Sequence, residues 1–126
     1  MDRKECKTRK ENVIKHYESQ WEDHSEEDVL MRVENLKDVL DSIIASLTLK
    51  PGVRILDLGS GPGIIPIRIA QIFSEDIDIC GIDFSERGVC LGNKVIKKMN
   101  SNASIHLIRG DVENLPFQES GYDAVV

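Results

Sequence analysis

The sequence predicts an α/β fold, a three-layer αβα sandwich around a mostly parallel sheet, preceded by helices and incomplete at its C-terminus, with about four strands present. Three observations predict it. Apolar residues recur at helical spacing before Lys50-Pro51-Gly52, short apolar runs alternate with helical stretches after it, and the first of those runs ends in a cluster of glycines. The change of character divides the chain into an N-terminal helical segment, 1–49, and an α/β unit, 50–126.

Ser25-Glu26-Glu27-Asp28 has the form of a helix cap followed by an acidic first turn. Val29, Leu30, Val33, Leu36, Leu40, Ile43, Ile44 and Leu47 then predict one long amphipathic helix that must pack on something. A shorter helix over about residues 10–20 precedes it, beyond the acidic segment 22–28.

Past Pro51, Val53-Arg54-Ile55-Leu56-Asp57-Leu58 is a short apolar run ending at glycines, the pattern of a buried parallel strand. Residues 64–73 read as a helix that tolerates Pro66 only in its first turn. A second strand follows at 77–82 and a second crossover helix at 86–99, started by Ser85. A third strand is expected at 105–108 and a fourth at 122–126. Right-handed crossovers between parallel strands make this a Rossmann-like arrangement, in which ligands bind at the carboxyl ends of strands. A sheet that stops at its fourth strand leaves an uncovered edge and uncovered apolar faces. The expectation is a fragment of a longer chain, or else a short form that forms homo-oligomers through that edge.

At 126 residues with 40% hydrophobic and 30% charged side chains, the chain sits in the globular range. Its apolar stretches fall short of the roughly 20 residues of a membrane span, and no secretory signal is visible, so a cytoplasmic location is expected. Cys6, Cys80 and Cys90 show no metal-ligand spacing; they are expected to be reduced, Cys80 and Cys90 as buried apolar positions, with no metal site. Net charge is −6, with nine basic and twelve acidic residues through Lys50 and seven and ten beyond, so no basic face for nucleic acid is indicated. The basic cluster Arg3, Lys4, Lys7, Arg9 and Lys10 reads as a solvated terminus rather than a nucleic-acid arm.

The strongest signal is Asp57-Leu58-Gly59-Ser60-Gly61-Pro62-Gly63, set between a strand and a helix. Glycines at alternate positions allow sharp turning and close approach of a ligand to main chain, which favours a ligand loop over a plain tight turn. A dinucleotide fingerprint starting at Gly59 needs glycine where Ile64 stands, and a phosphate loop needs Lys-Ser/Thr after its last glycine. Asp57 places a carboxylate beside the glycines, which suits an ammonium or sulfonium and repels phosphate. Asp83, at the end of the second strand, can accept from ribose hydroxyls or cap the next helix. Phe84 can cover an adenine face or belong to the core. After the third strand, Asp111 can accept from an adenine amino group, with the Val112 amide donating to the ring; a plain turn role for Asp111 is the alternative.

The segments Ile55-Leu56-Asp57-Leu58-Gly59-Ser60-Gly61-Pro62-Gly63, Gly81-Ile82-Asp83-Phe84-Ser85, Gly110-Asp111-Val112-Glu113-Asn114-Leu115-Pro116-Phe117 and Tyr122-Asp123-Ala124-Val125-Val126 resemble the first four strand-end motifs of class I S-adenosylmethionine-dependent methyltransferases. The similarity is to the small-molecule branch that includes quinone-biosynthesis enzymes. The resemblance implies S-adenosyl-L-methionine as cofactor and a small-molecule methyl acceptor. It implies that Asp57 and the Gly59, Gly61 and Gly63 backbone hold the methionine moiety, Asp83 the ribose, and Asp111 with Val112 the adenine; Ser60 and Phe84 are expected among the cofactor-binding residues as well. It names no catalytic residue, because family members carry acceptor-lining residues beyond the fourth strand. Two rivals remain at this stage: a truncated, non-catalytic methyltransferase relic that binds cofactor or a partner, and an NAD-dependent oxidoreductase. In the N-terminal segment, His16, Tyr17, Trp21 and His24 can form a lid over a cofactor, with plain packing as the favoured alternative; His106 reads as structural.

Overall fold

The structure is a computed structural model that describes residues 9, 11, 12, 21–73, 75–114 and 121–126. The chain runs α1 (Glu26–Asn35), α2 (Lys37–Ala45), β1 (Arg54–Leu58), α3 (Ile64–Ile72), β2 (Asp78–Asp83), α4 (Glu86–Lys98), β3 (Ser104–Arg109) and β4 (Ala124–Val125). The strands form one sheet in the order β3-β2-β1-β4, and every pairing is parallel. This is the Rossmann-like α/β architecture expected. Most of the helix expected over residues 10–20 lies outside the described residues; Arg9, Glu11 and Asn12 are helical.

Ser25 opens α1 as expected. Its Oγ accepts the Asp28 N–H, while Asp28 Oδ2 accepts the Ser25 N–H at 2.7 Å, a reciprocal capping box. The long helix anticipated from the apolar repeat is instead two, separated at Leu36 with φ −103° and ψ 8°. Packing accounts for the break. α1 lies against α4 and α3, whereas α2 follows α3. The bend brings both Val29–Val33 and Leu40–Ile44 into the core and leaves Leu30 and Leu36, expected on the apolar stripe, exposed. Arg68 of α3 fixes α2 in place by donating a fork of two hydrogen bonds to Asp41, at 2.7 and 2.9 Å.

Pro66 is the third residue of α3, where its missing N–H breaks no helical hydrogen bond. Pairing by the last strand extends beyond Ala124 and Val125. The Asp123 N–H donates to the Arg54 carbonyl and the Val126 N–H to the Leu56 carbonyl, both at 2.8 Å. Val29, Val33, Leu40 and Ile44 pack in one cluster with Ile55, Ile67, Ile79 and Val95, so the core runs unbroken from the helical segment into the α/β unit. Cys80, expected to be buried, is half-buried in a groove of about 260 Å³ whose walls include Arg54, His106 and Tyr122. Cys90 departs further from expectation and is exposed, because α4 turns Val89, Leu91 and Val95 inward instead.

α4 meets the β1–α3 loop at Gly92. A Cβ there would collide with the Pro62 carbonyl oxygen, and would stand 2.7 Å from its carbon and 2.5 Å from Leu107 Cδ1. Glycine to alanine within a helix ordinarily stabilises by about 1 kcal/mol. Here Gly92→Ala is expected to destabilise by about 1–3 kcal/mol through overpacking against main chain, a reversal of sign measurable by urea unfolding.

Candidate functional site

β1, β2 and β3 end side by side, with Asp57 in register with Gly81 and Asp83 with Arg109. Asp57, Gly59, Ser60, Gly61, Gly63, Asp83, Phe84, Asp111 and Val112 all lie at or just past these ends. The fold thus brings the residues chosen from the sequence to the carboxyl end of the sheet.

Gly59, Gly61 and Gly63 adopt φ values of 71°, 56° and 80°, a left-handed backbone that side chains resist. The Gly59 and Ser60 N–H groups both donate to the Ile82 carbonyl, at 2.8 and 3.0 Å, and the Gly63 N–H donates to the Ser60 carbonyl at 2.9 Å. These bonds lash the loop to the end of β2. Among the described residues, the Gly61 N–H is the loop-glycine amide without an acceptor. The glycine backbone anticipated as one binding surface therefore divides into two that build the loop and one left to donate.

Asp57 is 3% exposed, and its Oδ2 has no hydrogen-bond partner among the described residues. Burial first, and the neighbouring Asp83 carboxylate second, push its carboxyl up to about 7. Ser60 Oγ is likewise buried without a partner. It lies where Gly81 leaves room: a Cβ on Gly81 would come within 2.7 Å of that oxygen. Asp83 is buried and accepts the Ser85 N–H through Oδ2 at 3.0 Å. Ser85, not Asp83, caps α4, accepting the Gly88 N–H at 3.0 Å.

The Gly110 N–H donates to the Asp83 carbonyl at 2.9 Å, tying the end of β3 to β2. Asp111 is half-buried and accepts the Glu113 N–H at 2.9 Å and Asn114 Nδ2 at 3.2 Å, so it does turn work there. Phe84 and Val112 are half-buried. Among the described residues, no group of three or more His, Cys, Asp or Glu side chains is placed to hold a metal ion.

His16 and Tyr17 lie outside the described residues. Trp21 is buried in the core rather than spread over the site, with His24 packed edge-on at 5.1 Å between ring centroids. Gly81 and Gly92 escaped sequence reasoning, yet each makes room for a loop atom. Their signal was glycine inside a strand and inside a helix, where it otherwise weakens the element.

The raised Asp57 carboxyl sets a direction for stability. Its penalty is absent below the ordinary value of 3.8, grows as pH rises towards about 7, and is complete above that. Asp57→Asn is therefore expected to stabilise the fold at pH 8 by up to about 4 kcal/mol, with the gain vanishing near pH 4. Urea unfolding of both proteins at the two pH values reads this out, and an equal difference at both would contradict it.

The methyltransferase-domain family matches residues 49–126. The demethylmenaquinone methyltransferase of Staphylococcus haemolyticus is 31% identical over 83 residues, covering 66% of this chain and 34% of that protein. The Staphylococcus carnosus enzyme of the same description is 26% identical over 119 residues, covering 94% of this chain and 48% of its own. Among solved structures, a putative S-adenosyl-L-methionine-dependent methyltransferase from Methanococcus maripaludis aligns with TM-score 0.58 and 27% identity, over 80% of this chain and 48% of that one. The chain thus spans about a third to a half of the length of these relatives. With the glycine loop, the parallel strand order and the family match in agreement, the chain belongs to the methyltransferase-domain family.

Proposed function

We propose that the chain carries the cofactor-binding portion of an S-adenosyl-L-methionine-dependent methyltransferase acting on a small-molecule acceptor. One observation carries this reading: a buried carboxylate, Asp57, stands unpartnered beside a tight glycine loop. An uncompensated buried carboxylate is costly until a cation meets it, and phosphate would worsen the cost. The residues therefore fit a ligand bearing ammonium and sulfonium charge. The family match goes against the NAD alternative, as do Ile64 at the position of a third dinucleotide glycine and the absence of lysine or arginine from the loop.

When bound, the cofactor supplies an electrophilic methyl group on a sulfonium, open to in-line displacement by an acceptor nucleophile. The chain's own part is positioning and exclusion of water. Asp57 faces the positive charge, the Gly61 N–H donates to the methionine carboxylate, and Gly59, Ser60 and Gly63 shape the approach. Asp83 accepts from ribose hydroxyls through the oxygen that does not hold Ser85. Asp111, Val112 and Phe84 surround the adenine. We assign no base, since the displacement needs none when the acceptor is itself nucleophilic.

This reading takes residues 50–126 as the cofactor unit, and the start of the family match at residue 49 supports that boundary. It extends to a cytoplasmic setting and to self-association through the outer edge of β4, which among the described strands pairs with β1 alone. No helix among the described residues is long and apolar enough to cross a membrane.

Calorimetry with S-adenosyl-L-methionine, S-adenosylhomocysteine and NAD tests the assignment. Uptake of the first two and not the third is expected. Asp83→Asn keeps an oxygen for the Ser85 amide and is expected to weaken binding about tenfold, with circular dichroism unchanged. A folded chain that takes up neither adenosyl compound at millimolar concentration would overturn the reading.

A further inference from the structure

The turn before α1 reaches the glycine loop. The Trp21 indole lies between two glycines: its Cζ2 is 3.9 Å from where a Cβ on Gly61 would stand, and its Cδ1 is 3.1 Å from the same point on Gly88 in the first turn of α4. Four contacts hold it there. The Arg87 guanidinium donates to the Trp21 and His24 carbonyls, both at 3.3 Å, His24 packs edge-on, and the Arg32 guanidinium sits 5.5 Å from the ring centroid. The side chain is 7% exposed and belongs to the main core cluster, so a shift of the ring is resisted on every side.

What the ring borders is specific. Gly59, Ser60 and Gly63 are fixed by their own hydrogen bonds to the end of β2 and within the loop, whereas Gly61 is the glycine whose N–H has no such tether among the described residues. The Trp21 ring closes the space beside Gly61, leaving room for about one methyl group, and so bounds how far this untethered residue can move.

We propose that Trp21 is a positioning residue, which sets the Gly61 N–H for the ligand's carboxylate and couples occupancy of the loop to the N-terminal helical segment. The proposal rests on the cofactor reading above. Gly59 and Gly63 are held by hydrogen bonds that do not involve Trp21, so loss of the ring frees one donor rather than dismantling the loop. Affinity and stability therefore respond differently to the substitutions.

Trp21 is the sole tryptophan, so its emission reports the loop directly. In the unaltered chain, titration with S-adenosylhomocysteine is expected to change tryptophan emission in step with the calorimetric isotherm. Trp21→Phe, which keeps a flat ring against Gly61, is expected to hold affinity within about threefold, while Trp21→Ala loses about tenfold or more, the worth of one well-placed hydrogen bond. Val33→Ala is the control: it deletes buried apolar volume away from the loop and is expected to lower the urea midpoint without lowering affinity. Binding by the unaltered chain without any emission change overturns the proposal, even where Trp21→Ala does not fold. So does a Trp21→Ala protein that binds like the parent, or an equal loss of affinity in Val33→Ala. Failure of the unaltered chain to bind at all is a different result, and it overturns the cofactor reading instead.

Discussion

The approach of α4 to the β1–α3 loop is the constraint on which this architecture depends. Gly92 brings helix backbone against the Pro62 carbonyl, and Gly63 and Gly81 admit Leu107 and Ser60 Oγ into the same space. Parallel strands joined by crossover helices require each helix to lie close over the sheet it connects. Here one such close approach falls on the loop itself. The loop is thus held from two directions, by hydrogen bonds to Ile82 at the end of β2 and by the helix that follows β2. Its left-handed turns are a property of packing as much as of glycine.

That arrangement explains why the buried carboxylate can be sustained. A flexible loop would swing Asp57 towards water or let water reach it, relieving the desolvation that raises its proton affinity. Instead Asp57 sits on a central strand, in register with Gly81 and flanked by Asp83 two residues further along β2. Two acidic groups share a poorly hydrated corner, and among the described residues no cation offsets the charge of Asp57. The fold accepts a standing electrostatic cost at the point where a ligand arrives, as binding sites commonly do.

Much of this was legible in the sequence because glycine and apolar spacing are local signals. Gly59, Gly61 and Gly63 announce their backbone conformations without reference to anything distant, and Pro66 can stand only in the first turn of its helix. The strand ends follow from alternation, so the sequence alone groups Asp57, Asp83 and Asp111 at successive strand ends. What escaped depends on partners remote in the chain. The break at Leu36 obeys no Pro or Gly; it follows from α1 and α2 packing against different sets of helices. Leu30 and Cys90 carry apolar character yet face outward, since periodicity locates a stripe but not its width. The division of loop amides into engaged and free needed the Ile82 carbonyl, which sequence spacing does not orient.

Trp21 shows the same limit from the other side. Read along the chain, it is one aromatic residue among several in an amphipathic stretch, and burial is its ordinary fate. Its significance arises because two glycines from different crossover units, Gly61 and Gly88, both border the indole. The core cluster runs from Val29 through Ile55 to Val95 without a seam, so the helical segment is no appendage to the α/β unit. Mechanical continuity of that kind joins a local charge problem at Asp57 to the stability of the whole chain.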